Sequence, residues 1–316
     1  MKSDNQHPIS TTREITEIYY DSAAADNFYF NIWGGEDIHI GIYDKTSNIP
    51  KASRQTINHM AALAPNLIKK SRVIDFGAGY GGAARYLASG YGCEVVCVNL
   101  SAVQNRTNQR LNVEQNLDDL IEVIHGSFEE ITQADEVFDV VWSQDAILHS
   151  SNRKQVLSEA WRVLKPGGIM IFTDPMQTDN CPVGVLQQVY DRIHLNNLAS
   201  FAFYRHTAMA HGFTECKHQD LTPNLEIHYS RILDEIKKNY PSACKQSSKD
   251  YIDQMIIDLR HWIDATKDYY GELDYTARYK NLEATFSWMY IDFENLKIAC
   301  EQAGLRCELI EEGPHF

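Results

Sequence analysis

The stretch "VIDFGAGYGG" (residues 73–82) decides the fold. A short apolar run ends in glycine, and Gly77, Gly79 and Gly82 fall in the spacing G-x-G-x-x-G. A strand that turns tightly through such glycines onto a helix N-terminus approaches a nucleotide-like ligand with its backbone. That spacing alone also fits a dinucleotide dehydrogenase. Asp75, two residues before the first glycine, separates the two cases. A carboxylate there repels a pyrophosphate and holds an ammonium group. The pattern therefore favours the amino-acid end of S-adenosylmethionine over NAD.

Outward from this turn the chain alternates between two periods. "GGAARYLASGYG" (81–92) reads as a helix closed by Gly90 and Gly92, "EVVCVNLS" (94–101) as a strand, and "AVQNRTNQRLNVEQ" (102–115) as a helix. "LIEVIHGS" (120–127), "FDVVWSQ" (138–144) and "GGIMIFTDP" (167–175) repeat the strand signal, and "RKQVLSEAWRVLKPGG" (153–168) is helical up to a Pro-Gly-Gly stop. Strands alternating with helices predict an α/β fold, a parallel sheet covered on both faces, with ligands beyond the carboxyl ends of the strands. The flanks differ. Residues 1–70 read as a helical segment with an aromatic lid loop, and residues 71–223 as the core, with a cap insertion at about 176–212 that holds a helix over 184–199. Residues 224–316 read as a helical extension, with "TFSWMYI" (285–291) as a last strand and a further helix and strand-like run after about residue 292.

At 316 residues the chain is long enough to bury a sizeable core. A net charge of −14 argues against a nucleic-acid partner. The polar N-terminus lacks the apolar centre of a signal peptide, and no run of about 18 apolar residues predicts a membrane span. Seven scattered cysteines, none in Cys-x-x-Cys spacing, read as reduced thiols of a cytoplasmic protein without a metal site. The expected partner is a small molecule, and the expected state a monomer or homodimer.

Asn99 ends the second strand, 22 residues past Gly77, where a ribose-binding acid is expected at a spacing of ~20 residues. Its amide still hydrogen-bonds a hydroxyl, through a neutral group. Ser127 and Phe128 close the third strand, where an adenine contact or an ordinary turn both fit.

These segments, with "VNLSAVQN", "HGSFEEI", "DVVWSQDAILHS" and "FTDPMQTDNCPVGVLQQVYDRIHL", resemble class I S-adenosylmethionine-dependent methyltransferases. Among them the sequence is most similar to the sarcosine/dimethylglycine N-methyltransferases that make glycine betaine, from about Tyr19 to about Trp262. The resemblance implies a Rossmann-like seven-stranded methyltransferase sheet, S-adenosylmethionine as cofactor and S-adenosylhomocysteine as product. It implies cofactor contacts from Asp75, Gly77, Ala78, Gly79, Asn99, Leu100, Gln104, Ser127, Phe128, Ser143 and Gln144. A weaker likeness to phosphoethanolamine methyltransferases, in the turn Ser143–His149, implies that His149 pairs with Tyr20, or second with Tyr19. A phosphobase, a prenyl or sterol carbon, or a natural-product hydroxyl stand as other acceptors, and a non-catalytic S-adenosylmethionine-binding module as the reading outside catalysis.

Methyl transfer from a sulfonium is an in-line displacement, so the site must align donor and acceptor and present the amine unprotonated. A histidine suits that task, and His149 is the catalytic candidate; capping the following helix is its structural alternative. Asp145 has two uses as well, contact with the acceptor or a favourable charge at the next helix N-terminus. A zwitterionic acceptor needs a clamp for its carboxylate and aromatic walls for its methylated nitrogen. Trp33, His39, Tyr43, Met176, Arg192, Tyr204 and, less centrally, Tyr29 and Arg205 are the available pieces; for each aromatic, a place in the core of the cap is the plainer reading.

Overall fold

In this computed structural model the described residues, 12–192 and 195–279, open with three helices: α1 (Thr12–Asp21), α2 (Ala23–Phe28) and α3 (Ile49–Ala62), with a π-helical turn over Tyr29–Trp33. An alternating series follows: β1 (Arg72–Phe76), α4 (Gly82–Tyr91), β2 (Glu94–Asn99), α5 (Ala102–Glu114), β3 (Ile121–His125), β4 (Phe138–Gln144), α6 (Arg153–Val163) and β5 (Leu164–Gln177). Then come α7 (Gln187–Arg192), α8 (Phe201–Ala210), β6 (Phe213–Asp220), α9 (Thr222–Lys238), α10 (Tyr240–Gln246), α11 (Lys249–Ala265) and β7 (Tyr270–Tyr279).

The strands make one seven-stranded sheet in the order β3-β2-β1-β4-β5-β7-β6. The first five are mutually parallel, while β7 runs antiparallel between β5 and β6. Central strands buried on both faces read as continuous apolar runs, and Val140, Val141 and Trp142 are wholly buried. Their alternate side chains feed two cores. Ile74, Phe76, Val141 and Phe172 meet α6 and α8, while Val73, Cys97, Val140 and Trp142 meet α3 and α4. A third cluster joins α2 and the Tyr29–Trp33 turn to α9, α10 and α11 through Phe28, Trp33, Tyr229, Met255 and Trp262.

From β1 the chain steps to β2 on one side and later returns to place β4 on the other. The crevice at this reversal lies beyond the carboxyl ends of β1 and β4, where a doubly wound sheet binds its ligand. Two expectations change. Among the described residues of the helix read over 184–199 only α7 is helical: Gly184 takes a left-handed φ of 86°, and 195–199 lie outside any helix. A strand, β7, lies in the segment read as helical; its buried acids Glu272 and Asp274 disguise the apolar alternation of a strand. The strand expected at 285–291 and the run after 292 lie outside the described residues.

Candidate active site

The glycine turn after β1 follows the spacing at Gly77 and Gly79, while Gly82 opens α4, where a Cβ would stand 1.8 Å from Asp37 Oδ1. Gly77 (φ 78°), Gly79 (φ 54°) and Gly81 (φ 78°) all take the left-handed region that side chains resist. At Gly77 a Cβ would also stand 2.3 Å from the Cβ of Ala146, so the turn and the end of β4 pack without room for one more carbon. Across the sheet, β4 runs out at Gln144 and Asp145 takes φ 49°, a conformation that aspartate tolerates better than most residues.

Between these two turns opens a cavity of about 790 Å³, its open mouth included. It is lined by Tyr20, Gly77, Gly79, Asn99, Leu100, Gln104, Ser127, Phe128, Gln144, Asp145 and His149, with Arg13, Ile38 and Glu129 at its walls. A smaller chamber of about 330 Å³ shares Ile38, Gly77, Gly79 and Gln144 with it and adds Asp37, His39, Asp75 and Ala78. The combined space is that of a small-molecule site.

Asp75 is buried, its carboxyl group takes no hydrogen bond from any described residue, and burial pushes that group up to about 7. A carboxyl group in that state awaits a cation. Asp37 lines the same chamber from the lid loop; burial lifts it to about 6 against the pull of Arg54, whose Nη2 lies 2.8 Å from it. The Gln144 Nε2 is buried without a partner, while its Oε1 accepts from Trp142 Nε1 at 3.0 Å. Asn99 Nδ2 donates to Gln104 Oε1 at 3.1 Å, and Gln104 Nε2 is left buried and unpaired. A carboxyl group without a countercharge, a glycine cradle and two orphaned amides fit a nucleoside that carries an amino acid.

At the other end of the cavity the Tyr20 hydroxyl lies 3.0 Å from His149 Nε2, the rings edge to face. Burial, and then Arg153, push His149 down to about 4, so its ring is neutral at physiological pH. His149 Nδ1 is buried with no partner. It does not cap α6: Asn152 does, its Oδ1 accepting from Gln155 N. Tyr19 turns from His149 to the hydroxyls of Tyr29 (3.0 Å) and Tyr251 (3.2 Å).

Asp145 does not serve the helix N-terminus either. Its Oδ2 accepts from the lid backbone at Ile40 N (2.7 Å) and its Oδ1 from Thr173 Oγ1 (2.7 Å), so it ties the lid to the sheet while facing the cavity. His39 is held in the lid, where its Nε2 donates to the Ser53 carbonyl at 2.8 Å. Burial lowers its pKa.

Other expected contacts lie elsewhere. Ser143 is wholly buried and its hydroxyl donates to Phe76 O at 2.8 Å, because alternate residues of β4 face opposite ways and only Gln144 reaches the cavity. Trp33 packs in the helical core against Phe28, Tyr229 and Trp262. The Tyr43 hydroxyl donates to His228 Nδ1, which also accepts from Gly41 N. Tyr204 is sealed under the sheet, donating to Asp174 Oδ2 at 2.6 Å, and Met176 belongs to the same core. Arg205 pairs with Glu215 at an exposed position. The side chain of Arg192 lies outside the described residues. Arg13, Glu129 and Asp37 escaped the sequence reading, since charged residues on a helix or loop carry no mark of a cavity wall.

Comparison with known proteins places this geometry. A model of a methyltransferase domain matches residues 74–172. The sarcosine/dimethylglycine N-methyltransferase of Aphanothece halophytica is 49% identical over 80% of this chain and 91% of its own, and that of Halorhodospira halochloris 48% over 79% and 90%. The crystal structure of a putative sarcosine dimethylglycine methyltransferase from Galdieria sulphuraria superposes with a TM-score of 0.78 at 36% identity, covering 84% of this chain and all of that one.

Proposed function

The chain belongs to the sarcosine/dimethylglycine N-methyltransferase family, and on that premise we propose that it methylates the amine of sarcosine and dimethylglycine, ending at glycine betaine. S-adenosylmethionine, the family's cofactor, supplies a methyl group already activated on a sulfonium. Asp75 would take its ammonium, the glycine turn its backbone, Asn99 its ribose and Ser127 with Phe128 its adenine.

The observation that carries the reading is the contact between Tyr20 and a neutral His149 at the cavity wall. A protonated histidine there would repel an amine acceptor, whereas a neutral imidazole and a phenol offer lone pairs and an aromatic face. The two groups therefore hold the acceptor in line with the methyl while α1 excludes water. Among the described lining residues Arg13 is the single lysine or arginine, and it is paired with Glu129 at 3.8 Å. That inventory suits a singly charged amino acid better than a phosphobase. The reading places the enzyme in the cytoplasm, acting on free small molecules as a monomer or homodimer.

Labelled S-adenosylmethionine with glycine, sarcosine, dimethylglycine and phosphoethanolamine tests it. Turnover of sarcosine and dimethylglycine, and none of phosphoethanolamine, is expected. His149→Ala should lower kcat by roughly a hundredfold with cofactor affinity unchanged; full activity in that variant would remove His149 from the reaction.

A further inference from the structure

We infer that the proton shed by the acceptor amine leaves through the buried carboxyl groups beneath the lid, from Asp145 by Glu272 and Asp274 to His59. The inference rests on the amine-methylating reading. An amine acceptor is an ammonium ion in neutral water, so each transfer breaks one N–H bond. The proton needs a receiver before the nitrogen lone pair can form the new N–C bond while the C–S electron pair stays on sulfur.

Asp145 stands at the cavity wall, and Glu272 and Asp274 are successive inward residues of β7, wholly buried behind it. None of the three pairs with a lysine or arginine among the described residues. All four carboxylate oxygens of Glu272 and Asp274 are buried and none accepts from an amide, hydroxyl or cationic side chain; Glu272 meets the Asp145 carboxyl instead. Burial, followed by the neighbouring Asp145, raises Glu272 well above the carboxylate range, and burial raises Asp145 too. Two carboxyl groups in contact, as Asp145 and Glu272 are, share a proton rather than ionise together.

The order of the groups runs outward. Asp145 Oδ1 takes the Thr173 hydroxyl, Thr173 lies directly across the antiparallel ladder from Asp274, and Asp274 Oδ2 faces His59 Nε2 at 3.3 Å. His59 is on α3 with a quarter of its side chain in solvent. The remaining titratable neighbours do not compete. His39 is neutral by burial and donates to Ser53 O; Tyr229 and Tyr270 bond each other at 2.8 Å and burial holds both as phenols. Asp174, on the opposite face of β5, is occupied by Tyr204 and Leu148 N. His149 is a poor resting place for the proton, with its pKa near 4.

Dimethylglycine turnover by the whole chain in weakly buffered solution, with and without added imidazole, tests the route. His59→Ala should lower kcat roughly tenfold and recover as imidazole is raised, because a diffusible base replaces the lost one. Binding of S-adenosylhomocysteine by calorimetry, and KM for the acceptor, should stay within about twofold. Asp274→Asn should show the same loss without recovery, since imidazole has no access to a buried position. His59→Ala turning over at the wild-type rate, or a loss that imidazole leaves in place, overturns the route. A wild-type protein that binds S-adenosylhomocysteine but methylates none of the glycine-derived amines would instead remove the reading beneath it.

Discussion

With Asp75 holding the cofactor's ammonium as proposed, cofactor binding becomes a titration whose size follows from the burial of that carboxyl group. In the free site it has no partner and sits near a pKa of about 7. Only the ionised form holds an ammonium, so binding must expel whatever proton is present. With that pKa the ionised fraction is about one in eleven at pH 6 and about three in four at pH 7.5. The dissociation constant for S-adenosylhomocysteine should therefore fall about eightfold between those pH values, a change of about 1.2 kcal/mol, with about half a proton released per site at pH 7. Calorimetry in two buffers of different ionisation enthalpy measures both quantities. Staying below about pH 7.5 keeps the ligand's own amine charged. In Asp75→Asn the release centred near pH 7 should vanish and affinity should drop. A smaller release centred near pH 6 should remain from Asp37, which lines the same chamber. A wild-type affinity that is flat from pH 6 to 7.5 with no proton released would refute the assignment of Asp75 to the ammonium.

Two further substitutions probe the turn and the strand end. Gly77→Ala combines a left-handed φ of 78° with a Cβ 2.3 Å from that of Ala146, and should cost about 2–4 kcal/mol in urea unfolding. Adding Ala146→Gly should recover the steric share and leave the conformational one; a neutral single substitution would show that the turn is looser than its geometry. Ser143→Ala orphans the Phe76 carbonyl and should cost about 1–3 kcal/mol with S-adenosylhomocysteine affinity unchanged. Weaker binding at unaltered stability would return Ser143 to the cofactor.

How much of this was legible depended on the range over which each signal acts. The β1 turn, α4 and the end of β4 were readable because their constraints are local: glycines where φ is positive, β-branched and apolar residues where both faces are covered. Tyr20 and His149 are 129 residues apart, and nothing near either position betrays the other; family resemblance alone joined them. Ser143 and Gln144 show the limit of local reading. Both end the same strand, and which faces the cavity follows from the register of β4 on β1, where Ser143 pairs with Phe76. The aromatic residues are ambiguous for a different reason: an aromatic looks alike in a pocket wall and in a core, and here Trp33 and Tyr204 pack in the core while Tyr43, partly buried, bonds His228. Glu272 and Asp274 were least legible, since acids in a short alternating run read as a solvent-facing helix until the sheet buries them.

The acids share one logic that the fold alone would not require. Asp75, Glu272 and Asp274 are each more than nine-tenths buried, Asp145 is partly buried at the cavity wall, and none of the four meets a lysine or arginine among the described residues. For stability this is a poor choice. Asp75 has a folded pKa above its unfolded one, so its contribution is fully present below about pH 4 and is lost as pH rises through about 7. The free enzyme thus gives up that contribution as pH rises into and past the neutral range, by up to about 1.4 kcal/mol for each pKa unit of displacement. On the proposed reading Asp75 and Asp145 face the cofactor's ammonium and the acceptor's amine, both of them cationic groups, with Glu272 and Asp274 behind Asp145. A site that must bind two cations, remove a proton from one of them and release a quaternary ammonium product gains from carboxyl groups that can change charge in step with each arrival and departure. Permanent ion pairs with lysine or arginine would stabilise the fold and cancel the field that draws these ligands in. The same reasoning gives a sign to ligand protection: S-adenosylhomocysteine should raise the melting temperature more at pH 7.5 than at pH 6, because the charge it neutralises is present only at the higher pH.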